Sequence, residues 1–245
     1  MRASHVIAVA AAVIVLAALL ASRAEPGDGR EPAAEATHTE AAMPAPGGDD
    51  PGPSASAAPL EHASVAAAGI DLEIAAARVT VGALRPDGTR QVTTSGAPSF
   101  SVRTPGADVV EHGDGSVTVR RDGTAVAALT PVDDGSARRS AGTATFTLGD
   151  DALSSATWAQ REGEGGLSLA VVPEPWVRGA GEAALDLLTA QLASAEPETD
   201  SDTMRDQLAC HHLGAPDKAT WNLEPWRPDV GMLGTIAARC NPTDS

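Results

Sequence analysis

Residues 114–124 read Asp-Gly-Ser-Val-Thr-Val-Arg-Arg-Asp-Gly-Thr, a short alternation of polar and apolar residues between two Asp-Gly pairs. A period of two with Val and Thr is typical of a half-buried β-strand. Asp-Gly tolerates the positive φ angles of tight hairpins, so each pair is predicted to connect two strands. The stretch therefore predicts antiparallel β-structure around it.

The same pattern extends in both directions, from about residue 61 to residue 149. Further Asp-Gly triplets begin at Asp87 and Asp134, and alternating runs occupy 70–74, 79–81 and 143–148. The flanks lack the D-x-D-x-D-G spacing of a calcium loop. We expect a small antiparallel β region with thin apolar content.

The last part of the chain, residues 150–245, differs in kind because it holds all four Trp and both Cys. Strand-like runs at 156–159 and 167–172 precede a predicted helix over 182–194, with Leu185, Leu188 and Leu192 on one face. A second helix is predicted over 203–212, capped by Thr203. The fold class is therefore α+β, with a β region followed by a disulfide-stapled α+β C-terminal domain.

The N-terminus predicts export. Arg2 precedes an apolar run over 6–21 and small residues at Ser22 and Ala24, which together indicate a signal peptide over 1–24 and a mature protein that starts at Glu25. The alternative is an uncleaved signal-anchor. Residues 25–60 are rich in Pro, Ala and acids and predict a disordered linker, either a stalk or a leader without a role.

Composition excludes two classes of function. The formal net charge is −16, and aromatic residues make up 2% of the chain. A nucleic-acid-binding face and a polybasic membrane surface both need clustered Lys and Arg, so neither is expected. Contact with a membrane is expected only through the possible N-terminal anchor.

Cys210 and Cys240 are the only cysteines. In an exported chain they predict a disulfide, and the alternative is a reactive thiol beside His211 or His212. The two neighbouring histidines diverge on a helix and cannot chelate one ion together. No metal site and no cofactor are predicted.

The most informative segment runs from residue 218 to residue 228, because it combines the only lysine, two Trp, an acid and an arginine between prolines. It is either a recognition surface for a sugar or peptide, or a core segment with a partly buried Glu–Arg pair. The residues of this candidate binding surface are Lys218, Trp221, Asn222, Glu224, Trp226, Arg227 and His211.

An ordered set of motifs in this region resembles a known family. The motifs are 204–211 (MRDQLACH), Lys218, 221–228 (WNLEPWRP) and 240–242 (CNP), with Trp158 and 168–173 at the opening. They resemble the bacterial exported family catalogued as domain of unknown function 2599, over about 150–245. The resemblance implies that the cysteines, the Trp-rich segment and its charges belong to one shared unit, and it implies no reaction.

We therefore expect a secreted or envelope-associated, non-enzymatic binding protein whose partner is an envelope protein or a polysaccharide. One alternative is an exported hydrolase with Glu224 as acid or base, Lys218 or Arg227 stabilising charge, and His211 carrying protons. The other is an effector delivered into another cell, with its activity in the C-terminal domain.

Overall fold

Strands dominate the part of the protein that the computed structural model describes, residues 59–132, 142–161, 163 and 165–243. The predicted signal peptide, the linker up to residue 58 and the Asp134 turn lie outside these residues. Within them, no helix is long and apolar enough to cross a membrane.

Two antiparallel sheets form the β region. The smaller sheet has the order β1-β2-β5, and the larger has the order β3-β4-β9-β8-β7-β6. Their strands are β1 (Glu61–Ala67), β2 (Ile70–Ala76), β3 (Arg78–Val81), β4 (Arg90–Ser95), β5 (Ser99–Val102), β6 (Ala107–Glu111), β7 (Val117–Arg121), β8 (Thr124–Pro131) and β9 (Thr143–Gly149).

The two sheets share one apolar core, so they pack as a sandwich. Ile70 and Phe100 from the smaller sheet join Val92 and Phe146 from the larger one. Val92 lies opposite Phe146 in the register of β4 and β9. The rings of Phe100 and Phe146 meet edge to face with their centroids 5.6 Å apart.

The Asp-Gly pairs in the described residues form turns, as predicted. Asp122 and Gly123 connect β7 to β8 with φ angles of 50° and 82°. Asp87 accepts hydrogen bonds from the amide and hydroxyl of Thr89, and Asp114 accepts the same pair from Ser116. In both turns the carboxylate fixes the residue two positions later.

The C-terminal part adds a third antiparallel sheet and three helices. The sheet has the order β10-β11-β12, and Trp221 pairs with Val171. The elements are β10 (Leu153–Arg161), β11 (Gly166–Pro173), α1 (Glu182–Ala195), α2 (Asp202–Gly214), β12 (Trp221–Leu223) and α3 (Gly231–Ala237). The mixed α+β fold class is confirmed.

The second predicted helix is present, but its predicted cap is wrong. α2 begins at Asp202, and its N-cap is Ser201, whose hydroxyl accepts from the amide of Met204 at 3.4 Å. Thr203 lies inside the first turn. Both residues suit a cap chemically, so composition alone did not distinguish between them.

α1 lies on the outer face of the larger sheet, over β7 and β8. Residues 127–130 of β8 are therefore buried in succession. Ala127 and Leu129 face the sandwich core, whereas Ala128 belongs to the core that contains α1, α2 and Trp221. A strand covered on both faces loses its alternation between buried and exposed residues.

The turn between β6 and β7 caps α1. Asp114 Oδ2 accepts from the amide of Glu182 at 2.7 Å, and Ser116 Oγ accepts from the amide of Ala183 at 3.0 Å. Gly181, at the N-cap position, has no side chain to do this, and a Cβ there would lie 2.2 Å from Asp114 Oδ2. The donors that open the helix are thus satisfied from the β region. The expected domain boundary near residue 150 stays a prediction.

Candidate functional site

A cleft of about 520 Å³ opens where the C-terminal end of α2 meets the end of α3. It has the size of a typical small-molecule site. Its walls include the Cys210–Cys240 bridge, two apolar side chains and two basic side chains. The residues that shape it most are His211, Leu213, Lys218, Ile236 and Arg239.

The predicted disulfide forms one wall of the cleft and is confirmed. The sulfur atoms of Cys210 and Cys240 lie 2.04 Å apart, and the Cα atoms 5.5 Å apart. Because each cysteine neighbours a cleft residue in sequence, the bridge brings His211 and Arg239 to the same place. A disulfide is typical of proteins outside the cytoplasm.

The end of α3 holds Arg239 in an unusual backbone conformation. The amide of Cys240 donates to Thr235, and the amide of Arg239 donates to Ile236, both at 2.9 Å. This is the Schellman pattern, in which the residue at the position of Arg239 is usually glycine. Arg239 and Cys240 have φ angles of 53° and 67°. A left-handed conformation costs a non-glycine residue about 1–2 kcal/mol.

Lys218 and Arg239 are the two basic residues of 150–245 whose charged groups have neither an ion pair nor a hydrogen bond among the described residues. The other four basic residues of this region are engaged: Arg161 and Arg178 in other contacts, Arg205 with Asp200 and Asp202, and Arg227 with Glu224. Lys218 and Arg239 are both exposed and both line the cleft. No acidic residue is among the described residues of its wall.

His211 forms a buried part of the wall. It is 3% exposed, and its Nε2 donates to the carbonyl of Asn222 at 3.1 Å. This leaves Nδ1 as an acceptor without a partner among the described residues. Burial lowers the pKa of His211; the bond to Asn222 opposes that effect, and the charge of Lys218 adds to it.

The structure divides the candidate binding surface into two parts. Trp221 is fully buried, its Nε1 donates to the carbonyl of Ala215 at 3.0 Å, and Asn222 beside it is half-buried in β12. Glu224 is 3% exposed and forms an ion pair with Arg227. Trp221 and Glu224 are therefore core residues and form no recognition surface.

Trp226 is the exposed aromatic residue of the segment, but it does not line the cleft. Its exposed fraction is 37%, and the guanidinium of Arg227 lies 4.6 Å from the centroid of its ring. The ring covers the start of β11, where a Cβ on Gly166 would lie 2.9 Å from it. Of the predicted surface residues, only His211 and Lys218 line the cleft.

Two residues that shape the site were missed from the sequence. Arg178 donates to the carbonyls of Pro216, Lys218 and Ala219, so it holds the loop that carries Lys218. Nothing near Arg178 in the sequence indicates this role. Arg239 could have been found from the sequence. It precedes Cys240 and His211 follows Cys210, so the predicted disulfide would bring the two residues close together.

A second polar cluster lies where β7 meets α1. His112 Nε2 is 2.8 Å from Thr118 Oγ1, and His112 Nδ1 is 3.3 Å from Glu182 Oε2. Thr118, His112 and Glu182 are thus arranged like the nucleophile, the base and the orienting acid of a catalytic triad. Thr118, however, is fully buried and donates to Asp186 at 3.0 Å, so its hydroxyl is closed to a substrate.

Comparison with known proteins locates the cleft within a shared region. The model of the family described as protein of unknown function (DUF2599) matches residues 153–243. The resemblance seen in the sequence is confirmed. Every residue of the cleft lies within this DUF2599 region.

The similar proteins carry no assigned role in their names. A stretch of 69 residues is 42% identical to Uncharacterized protein Mb0487 of Mycobacterium bovis and to Uncharacterized proteins Rv0477 and MT0495 of Mycobacterium tuberculosis. The stretch covers 26% of this chain and 47% of each relative, so the chain spans about half the length of the curated relatives it matches. No solved structure matches the chain.

Proposed function

We propose that this protein works outside the cytoplasm as a non-enzymatic binding protein, and that the cleft in its DUF2599 region binds an anionic component of the cell envelope. The observation that carries the proposal is that two basic side chains, Lys218 and Arg239, line one cleft without an ion-pair partner in the described part of the chain, whose full sequence has a net charge of −16. A cationic site on an acidic protein favours an anionic ligand over a neutral one.

Backbone conformation supports the proposal. Glycine at position 239 would relieve the left-handed conformation, yet the chain has an arginine there. Residues held in strained conformations cluster at functional sites. Arg239 supplies a positive charge to the cleft, but it makes the end of α3 less stable than glycine would.

The state of Glu224 favours binding over hydrolysis. A general acid or base must reach the proton that it transfers. Glu224 is buried and engaged by Arg227, while the side-chain amide of Gln207 bonds its backbone amide and carbonyl at 2.9 and 3.0 Å. Such a carboxylate holds the segment together and does not face a substrate.

Binding of two matched fluorescent probes tests the proposal. The sulfonate 8-anilinonaphthalene-1-sulfonate is anionic, and N-phenyl-1-naphthylamine is its neutral counterpart. We expect the double variant Lys218→Gln with Arg239→Gln to weaken sulfonate binding about tenfold and to leave binding of the neutral probe unchanged. Arg78→Gln is the control, because it removes one exposed charge from β3 that has no ion pair with any residue that the structure describes. Equal sulfonate affinity in wild type and double variant would overturn the proposal.

Location has its own test. The disulfide and the predicted signal peptide both support export. Protein recovered from the producing cells should begin at Glu25 and should not react with an alkylating reagent unless it is first reduced. Free thiols in the native protein would contradict an extracytoplasmic location, and an intact Met1 would favour the anchor.

A further inference from the structure

Apolar side chains continue from the cleft onto the surface. Leu213 and Ile236 line the cleft with exposed fractions of 67% and 46%. Leu233, one turn before Ile236 on α3, is 84% exposed, and Val230 at the start of α3 is 45% exposed. Single exposed apolar residues are ordinary, whereas several at one corner mark a binding surface.

The charges stand at the same corner. Lys218 and Arg239 line the cleft that Leu213 and Ile236 also line. The cleft thus presents two positive charges and an apolar track side by side. A ligand that matches both features has an acidic head and an apolar tail.

We infer that the cleft binds one molecule of a single-chain anionic amphiphile, with its acidic head at Lys218 and Arg239 and its tail along Leu213 and Ile236. This inference deepens the proposed function of the same cleft and depends on it. The head group is a phosphate or a carboxylate, since the two basic side chains accept either.

A whole membrane surface fits this corner less well than a single amphiphile does. Surfaces that dock on anionic bilayers use clusters of about four to eight basic residues. This cleft has two basic side chains, and the whole chain has a net charge of −16, so an anionic bilayer would repel the protein. The site is also concave, at about 520 Å³, and accepts a molecule with a tail.

Calorimetric titration with octyl, decyl and dodecyl phosphate, each below its micelle concentration, tests the inference. We expect the affinity to rise about fourfold for each added methylene until the track is full, because each methylene leaves water. Decyl glucoside has the same tail without the charge and should bind more weakly. The variant Lys218→Gln with Arg239→Gln should lower the affinity of the phosphates and not that of the glucoside.

Two further variants test the tail. Leu213→Gln and Ile236→Gln should each flatten the dependence on chain length while the protein stays folded, since both side chains are exposed. Leu84→Gln, at a residue that is 60% exposed before β4, is the matched control and should change nothing. Thermal unfolding of each variant verifies that it is folded.

The outcomes separate this inference from the proposed function. If the affinity of the phosphates does not depend on chain length while the sulfonate probe still binds through Lys218 and Arg239, the inference of an amphiphilic ligand is wrong. The proposed binding of an anionic ligand is then retained. If neither the sulfonate nor any phosphate binds, both are wrong. If binding occurs only to anionic vesicles and not to dissolved amphiphile, the corner docks on a membrane and the inference is overturned.

Discussion

Replacing Asp114 by alanine should destabilise the fold by uncapping a helix far away in the sequence. Asp114 Oδ1 accepts from the amide and hydroxyl of Ser116 at 2.8 and 2.7 Å, and Oδ2 accepts from the amide of Glu182 at 2.7 Å. Loss of a helix cap costs about 1 kcal/mol, and hydrogen bonds to a charged group add to that. We expect Asp114→Ala to lower the free energy of unfolding by about 2 kcal/mol.

The chain contains a matched control for this substitution. Asp87 makes the same two bonds to Thr89, at 3.0 and 2.7 Å, and within the described part of the chain its carboxylate bonds to no helix. Asp87→Ala therefore removes the local turn contacts alone. Asp114→Ala should lower the free energy of unfolding by about 1 kcal/mol more than Asp87→Ala does, and this difference is the contribution of the helix cap. Urea unfolding followed by tryptophan fluorescence measures both variants.

The cap should also depend on pH. Burial raises the pKa of Asp114, but the hydrogen bonds from Ser116 and Glu182 together outweigh it, so the pKa lies below its ordinary value. The contribution of the carboxylate is then complete above the ordinary pKa of an aspartate and is lost as the pH falls through the lowered value. The difference in the free energy of unfolding between wild type and Asp114→Ala should therefore disappear at acidic pH. The reasoning would be refuted if Asp114→Ala and Asp87→Ala lowered the free energy of unfolding equally. It would also be refuted if the difference between wild type and Asp114→Ala did not change with pH.

Three further substitutions or treatments have expected outcomes. Arg239→Gly should raise the free energy of unfolding by about 0.5–1 kcal/mol, measured by urea unfolding, and should weaken binding of the sulfonate probe; a loss of stability would contradict the helix-end geometry. His212→Phe should flatten the stability profile below neutral pH. Burial lowers the pKa of His212, so its contribution is present above the ordinary histidine pKa and is lost as the pH falls; an unchanged profile would contradict this. Reduction of Cys210–Cys240, which closes a loop with a separation of 30 residues, should cost about 3–4 kcal/mol and abolish probe binding; binding that survives reduction would show that the cleft does not need the bridge.

Alternating runs in the sequence predicted six of the twelve described strands, and local signals predicted two of the helices. In the turns at Asp87 and Asp114 the carboxylate bonds to the residue two positions later, which is a local signal, and α1 followed from its spaced leucines. β12 and α3 are among the elements that were missed. β12 has three residues and forms only because β11 lies beside it, while α3 contains two glycines and little helical preference.

The different fates of Trp221 and Trp226 show why the site was harder to predict than the fold. Both lie in one rigid segment, yet Trp221 is fully buried and Trp226 is 37% exposed. Pairing with Val171 directs Trp221 into the core, and the strand ends at Leu223 before Trp226. Such a pairing partner is invisible from the segment itself.

The cleft was found only in part for a similar reason. His211 and Lys218 stood out by residue type, but Arg239 was one of sixteen arginines. Its position depends on the disulfide and on the end of α3. The pair of cysteines was predicted, and combining that pairing with sequence adjacency would have placed Arg239 beside His211.

The cap supplied by the β6–β7 turn limits how this region can be inherited. In residues 153–243 alone, the first amides of α1 would lack Asp114 and Ser116 as acceptors, and the side of α1 that rests on β8 would meet water. A descendant that lost the sandwich would therefore need new acceptors at that terminus and a new apolar cover at the same time. Because neither change helps without the other, the two halves of the chain should evolve as one.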